Sequence, residues 1–145
     1  MRTTIRIQAD PFDVAAELEP LSRGAGAVVS FSGHVRQEDG LDALHLEHYP
    51  GMTEREIARH VEDACARWVL LGVTVIHRVG ELKPGDSIVL VAAASAHHAD
   101  AFRACEFLMD PLKHRATFWK RERRGGETRW VDAKPSDNAA AKRWT

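Results

Sequence analysis

Cysteine is scarce in this 145-residue chain: Cys65 and Cys105 lie forty positions apart, each without a neighbouring cysteine. That spacing excludes a zinc ribbon and a Cys-x-x-Cys redox motif and predicts two free, buried thiols. Both fall on the apolar faces of predicted helices, which favours packing over nucleophilic catalysis. Long apolar runs are missing too. Nothing approaches the roughly 20 residues of a membrane span, and the N-terminal MRTTIRIQAD alternates instead of presenting a signal-peptide core. A soluble, cytoplasmic protein is therefore expected. Charge of one sign is the third absence. With 20 Lys+Arg against 21 Asp+Glu the formal net charge is -1, so no global basic field advertises a nucleic-acid partner. Repeats, low-complexity stretches and linkers are likewise not seen, and a 44% hydrophobic content is enough for a core, which predicts a single domain over residues 1–145.

What is present alternates between two periodicities. Thr4 to Ala9 reads as a strand, and Asp10-Pro11 as the start of a short helix ending near Gly24. AGAVVSFSGHVR reads as a buried strand, and LDALHLEHY as the next one. In TEREIARHVEDACARWVLL, Ile57, Val61, Ala64, Cys65 and Trp68 recur at helical spacing, with Thr53 and Glu56 as a capping box. VTVIHRVGEL and DSIVLVAAAS predict two strands joined through the turn KPGD. HADAFRACEFLMDPLKH predicts a helix whose apolar face carries Phe102, Cys105, Leu108 and Met109, with a kink or break at Pro111. ATFWKRERR and TRWVDAK flank Gly125-Gly126 as a closing hairpin, and the tail adds a helical turn or two capped by Ser136. This order of strands and helices predicts an α+β domain and argues against a doubly wound sheet.

Candidate chemistry concentrates in one place. From Lys113 to Arg124, six basic residues stand against the single acid Glu122, a formal +5 in twelve positions that leaves -6 for the rest. Beside Phe118 and Trp119, such a cluster suits an anion that carries a flat ring; taken alone, it reads first as a charged strand and turn solvated on one face. Lys113 and Lys120 share no helical face, so only the fold could bring them together. Two converging ammonium groups would divide the labour, one holding charge and the other serving as a neutral nucleophile or proton acceptor. His97-His98 closes a strand and opens a helix, where imidazole and free backbone N–H groups can face an anion. Arg36 lies where a strand leaves the core, a phosphate fork or a solvated strand end, and Gly33 could let backbone approach a ligand. The eight histidines show no zinc-binding spacing, and strand alternation sends His48 and Glu47 to opposite faces, so no metal is expected.

Several phrases in order are more specific than any of these: VVSFSGHVR, LEHYPGMTE, VTVIHRVGELKPGD, SAHHADAF, LKHRATFWKRE and RWVDA. Together they resemble the large, catalytic subunit family of molybdopterin synthase, over nearly the whole chain. The resemblance implies an α/β-hammerhead domain with an additional antiparallel β region. It also implies a homodimer flanked by two small ubiquitin-like sulfur-carrier subunits, each ending in Gly-Gly. The implied reaction installs two sulfurs, delivered as carrier thiocarboxylates, on cyclic pyranopterin monophosphate to form the dithiolene of molybdopterin, with no cofactor. The family's catalytic lysines fall on Lys113 and Lys120, and its substrate-binding residues on Arg36, His97, Arg121 and Glu122. Arg123 and Arg124, beside the glycine turn, are expected to be solvated or partner-facing. This sequence departs from the family at His34, where a lysine is expected, at His98, where an arginine is expected, and at Lys134, where an arginine is familiar. His34 and His98 remain substrate-binding candidates, but an imidazole loses its charge near neutral pH, which puts more weight on Arg36, Arg121 and the lysines. Two readings of other classes compete: a non-catalytic dimeric module that binds a glycine-ended tail or an anionic pterin, and a single-strand nucleic-acid binder using Phe118 and Trp119, against which the acidic remainder of the chain argues.

Overall fold

The computed structural model describes residues 1–114 and 118–131, the side chains at 111, 113 and 114 excepted. Within them the chain runs β1 (Arg2–Gln8), α1 (Val14–Ser22), β2 (Ala27–His34), β3 (Leu41–His48), α2 (Met52–Arg67) and β4 (Gly72–Arg78). It continues through β5 (Gly80–Leu82), β6 (Ser87–Ser95), α3 (His98–His114), β7 (Phe118–Arg124) and β8 (Glu127–Val131). Two four-stranded sheets result, ordered β1-β4-β6-β2 and β5-β3-β7-β8. Among the described residues only the β1–β4 pairing is parallel. The architecture is α+β, as expected.

The first sheet is covered on both faces. Val73, Val75, Val89, Val91 and Ala93 pack with Ile57, Val61 and Ala64 of α2 and with Ala104, Cys105, Phe107 and Leu108 of α3. On the other face Ala92 and Ala94 meet Leu21 of α1. Double coverage explains why β4 and β6 read as apolar runs without alternation. Large, fully buried members such as Phe107 and Ile76 contribute about 1.5–3 kcal/mol each. A second core of Val35, Leu41, Leu44, Leu46 and Leu82 lies on the inner face of the second sheet.

Several local expectations change. Asp13 caps α1, its carboxylate accepting from the Ala16 N–H at 3.3 Å, so the helix begins after Asp10-Pro11. At α2 the side chain that reaches back is Glu54, which accepts from the Gly51 N–H; Thr53 lies inside the helix, and its Oγ1 accepts from the Tyr49 N–H. β2 forms the edge of its sheet and is only partly buried. The single strand expected across VTVIHRVGEL breaks into two, because Gly80 at φ 88° turns the chain from the first sheet into the second; only glycine takes that conformation without strain. α3 continues past position 111 to His114. Its inward stripe is Ala101, Ala104, Cys105 and Leu108, while Phe102 is 60% exposed and meets His98 edge-on at the helix start. The KPGD turn is closed by Asp86, whose N–H donates to the Lys83 carbonyl and whose carboxylate accepts from the Lys83 N–H. β7 and β8 form the hairpin expected around Gly125-Gly126. The tail with Lys134, Ser136 and Trp144 lies outside the described residues.

Candidate active site

β7 carries most of the basic segment through the middle of the second sheet, between β3 and β8. Its residues alternate between two faces. Phe118, Lys120 and Glu122 stand opposite His48, Leu46 and Leu44 of β3, whereas Trp119 and Arg121 stand opposite Glu47 and His45. Leu44 and Leu46 are buried, so Lys120 emerges on the inner face beside apolar neighbours.

The arginines of this strand are already engaged. Arg121 Nη2 lies 3.2 Å from Glu47 Oε1, and its guanidinium sits 5.0 Å from the centre of the Trp130 ring. Arg123 pairs with Glu81 at 2.7 Å. Arg124 reaches Glu122 at 2.7 Å, Glu38 at 2.6 Å and the Asp39 carbonyl at 3.0 Å. The carboxylates of Glu122 and Glu38 hold Arg124 above its ordinary range. Arg124, expected to be solvated or partner-facing, is therefore fastened to its own chain. Lys120 differs: half-buried, it has no hydrogen-bond or ion-pair partner among the described residues. Glu122, expected at the substrate, is occupied by Arg124.

The first sheet places the remaining candidates at two ends. One row crosses it from Ile7 to His77, Val89 and Gly33, and at this end His34 closes β2 at a bulge, with Arg36 exposed just beyond. Gly33 does not open toward a ligand: a Cβ there would lie 2.8 Å from Val89 Cγ1 and 3.2 Å from the Phe31 ring. α3 starts at the other end and runs back across β6, its Cys105 Sγ reaching the Val91 carbonyl at 3.6 Å. Lys113 therefore lies in the last turn of α3, at the His34 and Arg36 end; its side chain is outside the described residues. His97 and His98 are exposed at the far end, where the His97 N–H donates to Ser95 Oγ at 3.4 Å. At 1.5 Å per helical residue, His98 and Lys113 are about 22 Å apart along α3.

Phe118 joins β7 to the first end. Its ring stacks on the buried His77 of β4, with centroids 3.8 Å apart and planes inclined by 15°, and on its other neighbour His48 at 6.4 Å. Burial pushes the His77 imidazole down to about 4. A histidine inside an otherwise apolar strand was the available sequence signal for this contact, and strand reading alone passed over it.

Other reactive groups point away from chemistry. Burial pushes the Cys105 thiol up to about 11 and raises Cys65 as well, so neither favours the nucleophilic thiolate. Cys105 is buried and Cys65 only partly so. In HLEH the histidines diverge: His45 meets Glu47 at 3.2 Å, while His48 on the opposite face meets Glu54 at 3.2 Å. Among the described residues no helix is long and apolar enough to cross a membrane.

The family model for MoaE proteins matches residues 7–115. The molybdopterin synthase catalytic subunit of Mesorhizobium japonicum is 59% identical over 97% of this chain and 92% of its own length. Molybdopterin cofactor biosynthesis protein E from Burkholderia multivorans superposes with a TM-score of 0.85 at 47% identity, covering 99% of this chain and 97% of that one. The crystal structure of molybdopterin synthase from Staphylococcus aureus gives 0.81 at 30% identity over 87% and 95%. Fold, motif order and near-complete coverage agree, and the chain belongs to the molybdopterin synthase catalytic subunit family.

Proposed function

We propose that this chain is the sulfur-transferring subunit of a molybdopterin synthase, with Lys120 as the working cation of its active site. The observation that carries this reading is the contrast along β7, where each arginine has an acidic partner and Lys120 has none among the described residues. An unpaired ammonium beside apolar residues interacts strongly with an anion that displaces water from it. In the proposed reaction the thiocarboxylate sulfur of a small carrier's Gly-Gly end attacks cyclic pyranopterin monophosphate. Sulfur forms the new C–S bond as a carbon–oxygen bond of the pterin side chain breaks and its oxygen leaves with a proton; water then cleaves the resulting carrier thioester, freeing the carrier as a carboxylate and leaving the sulfur on the pterin. Lys120 orients the thiocarboxylate and offsets its charge, and Lys113 holds the charge of the pterin phosphate.

Arg36 and His34 share the Lys113 end of the first sheet, whereas His97 and His98 stand about 22 Å away along α3. A site that uses all of them draws the histidine pair from a second copy of the chain, which is why we propose a homodimer as the working unit, with one carrier on each protomer. Arg121 and Glu122 reach a ligand only by releasing Glu47 and Arg124. Their substitution is therefore expected to weaken binding less than that of Lys120. Two free thiols suit a reducing compartment, and the cytoplasm is the proposed location.

Reconstitution tests the reading: the protein is mixed with a thiocarboxylated carrier and cyclic pyranopterin monophosphate, and dithiolene product is measured. Lys120→Ala is expected to lose about 100-fold or more in rate, the size seen when one electrostatic donor is removed from an active site. Undiminished turnover by that variant would remove Lys120 from the mechanism. A wild-type protein that binds carrier and pterin without product would instead be a binding module.

A further inference from the structure

We infer that His77 is a positioning residue for Lys120, acting through the stacked ring of Phe118. The inference rests on Lys120 serving the proposed sulfur transfer, and it begins from where β7 enters the second sheet. Phe118 is the first residue of that strand. Lys120 follows two residues later on the same face, about 7 Å along the strand. Whatever seats Phe118 therefore sets the position of Lys120.

The seat is built from both sheets. His77 lies in the fully buried strand β4, and its Nδ1 donates to the Arg78 carbonyl at 2.8 Å, which fixes the ring about its χ angles. Arg78 is itself clamped, donating to the Ala9 carbonyl at 2.9 Å and 3.2 Å and to the Ser87 carbonyl at 3.4 Å. The imidazole is thus held on backbone from three strand ends. On the second sheet, His48 stands opposite Phe118 and meets Glu54 of α2 at 3.2 Å. Phe118 is consequently located by β4 beneath it and β3 beside it.

An aliphatic residue at position 77 would fill the same volume. A planar ring locked by a hydrogen bond adds an orientation, because offset stacking at 3.8 Å restricts how Phe118 can tilt and slide. Active-site groups are sensitive to such shifts, and a displacement near 1 Å costs about 100-fold in rate.

His77→Ala and His77→Phe separate positioning from bulk stability. The alanine variant removes the stacking surface; the phenylalanine variant keeps a ring surface, slightly larger, and deletes the hydrogen bond that locks it. Each is assayed in the reconstituted reaction and also by reductive methylation with 13C-formaldehyde, where the Lys120 dimethylamine resonance is assigned by its loss in Lys120→Ala. His77→Ala is expected to lower kcat about 10-fold to 100-fold, with KM for the pterin changed less than about twofold, and to move the Lys120 resonance. His77→Phe, which keeps a ring but not the hydrogen bond that locks it, is expected to restore part of both. Should His77→Ala fail to fold, Phe118→Leu replaces it, removing the ring from the other side of the stack with the same expectations. An unmoved Lys120 resonance with unchanged kcat overturns the inference, as does a loss in His77→Phe equal to that in His77→Ala. If the wild type makes no product, the functional reading fails while the Lys120 resonance still decides this one.

Discussion

The two faces of β7 carry the same kind of residue and use it differently. On the outer face, Arg121 and Arg123 meet Glu47 and Glu81 from neighbouring strands. On the inner face Lys120 stands among leucines with no acidic partner among the described residues. Along β7, the three arginines thus serve cross-strand pairing or the turn, and Lys120 is left for a ligand. A charge cluster in sequence is accordingly a poor guide to an anion site until the acids opposite it are known.

The inner face should be the more fragile. Leu46, opposite Lys120 and 6% exposed, is expected to cost about 2–5 kcal/mol as Leu46→Ala, from lost transfer energy and a residual cavity; chemical denaturation of the variant checks this. A loss under 1 kcal/mol would mean that the second core is not holding Lys120 in place.

His77 gives the inner side a pH signature. Its ring protonates near 4 in the folded chain but near 6.5 when exposed, so the unfolded state binds the extra proton between those values. Stability should be full above about pH 6.5 and fall toward pH 4, by up to about 3 kcal/mol from this group. His48 faces the same Phe118 ring and Glu54 lies beyond it, so the comparison is made against His77→Phe, in which this component of the slope should vanish. Equal acid sensitivity in the two proteins would place the slope elsewhere.

Outer-face substitutions should be mild. Arg121→Ala loses a half-exposed ion pair and the Trp130 contact, together about 1 kcal/mol by denaturation. For Arg123→Gln, where both partners are about half exposed, less than about 0.5 kcal/mol is expected. Large destabilisation by either would show that the outer pairs form a network stronger than their exposure indicates.

The α+β class, the three helices and the Gly125-Gly126 hairpin were legible in the sequence because periodicity and turn chemistry are local. Cross-strand partners are not local. Glu38, Glu47 and Glu81 lie far from the arginines they neutralise, and only the register of β3, β5 and β7 brings them together. The strand break at Gly80 was missed because apolar residues continue on both sides of it, and Phe102 because helical spacing does not say which face the sheet covers. Motif resemblance named Lys113, Lys120, Arg36 and His97 without showing that helix α3 holds His97 and Lys113 apart.

Turnover of Lys120→Gln and Arg123→Gln, measured side by side with thiocarboxylated carrier and cyclic pterin, tests the contrast between the faces most directly. The account expects kcat/KM to fall about 100-fold or more for the lysine variant and to stay within about twofold of wild type for the arginine variant. Equal losses in the two would contradict it.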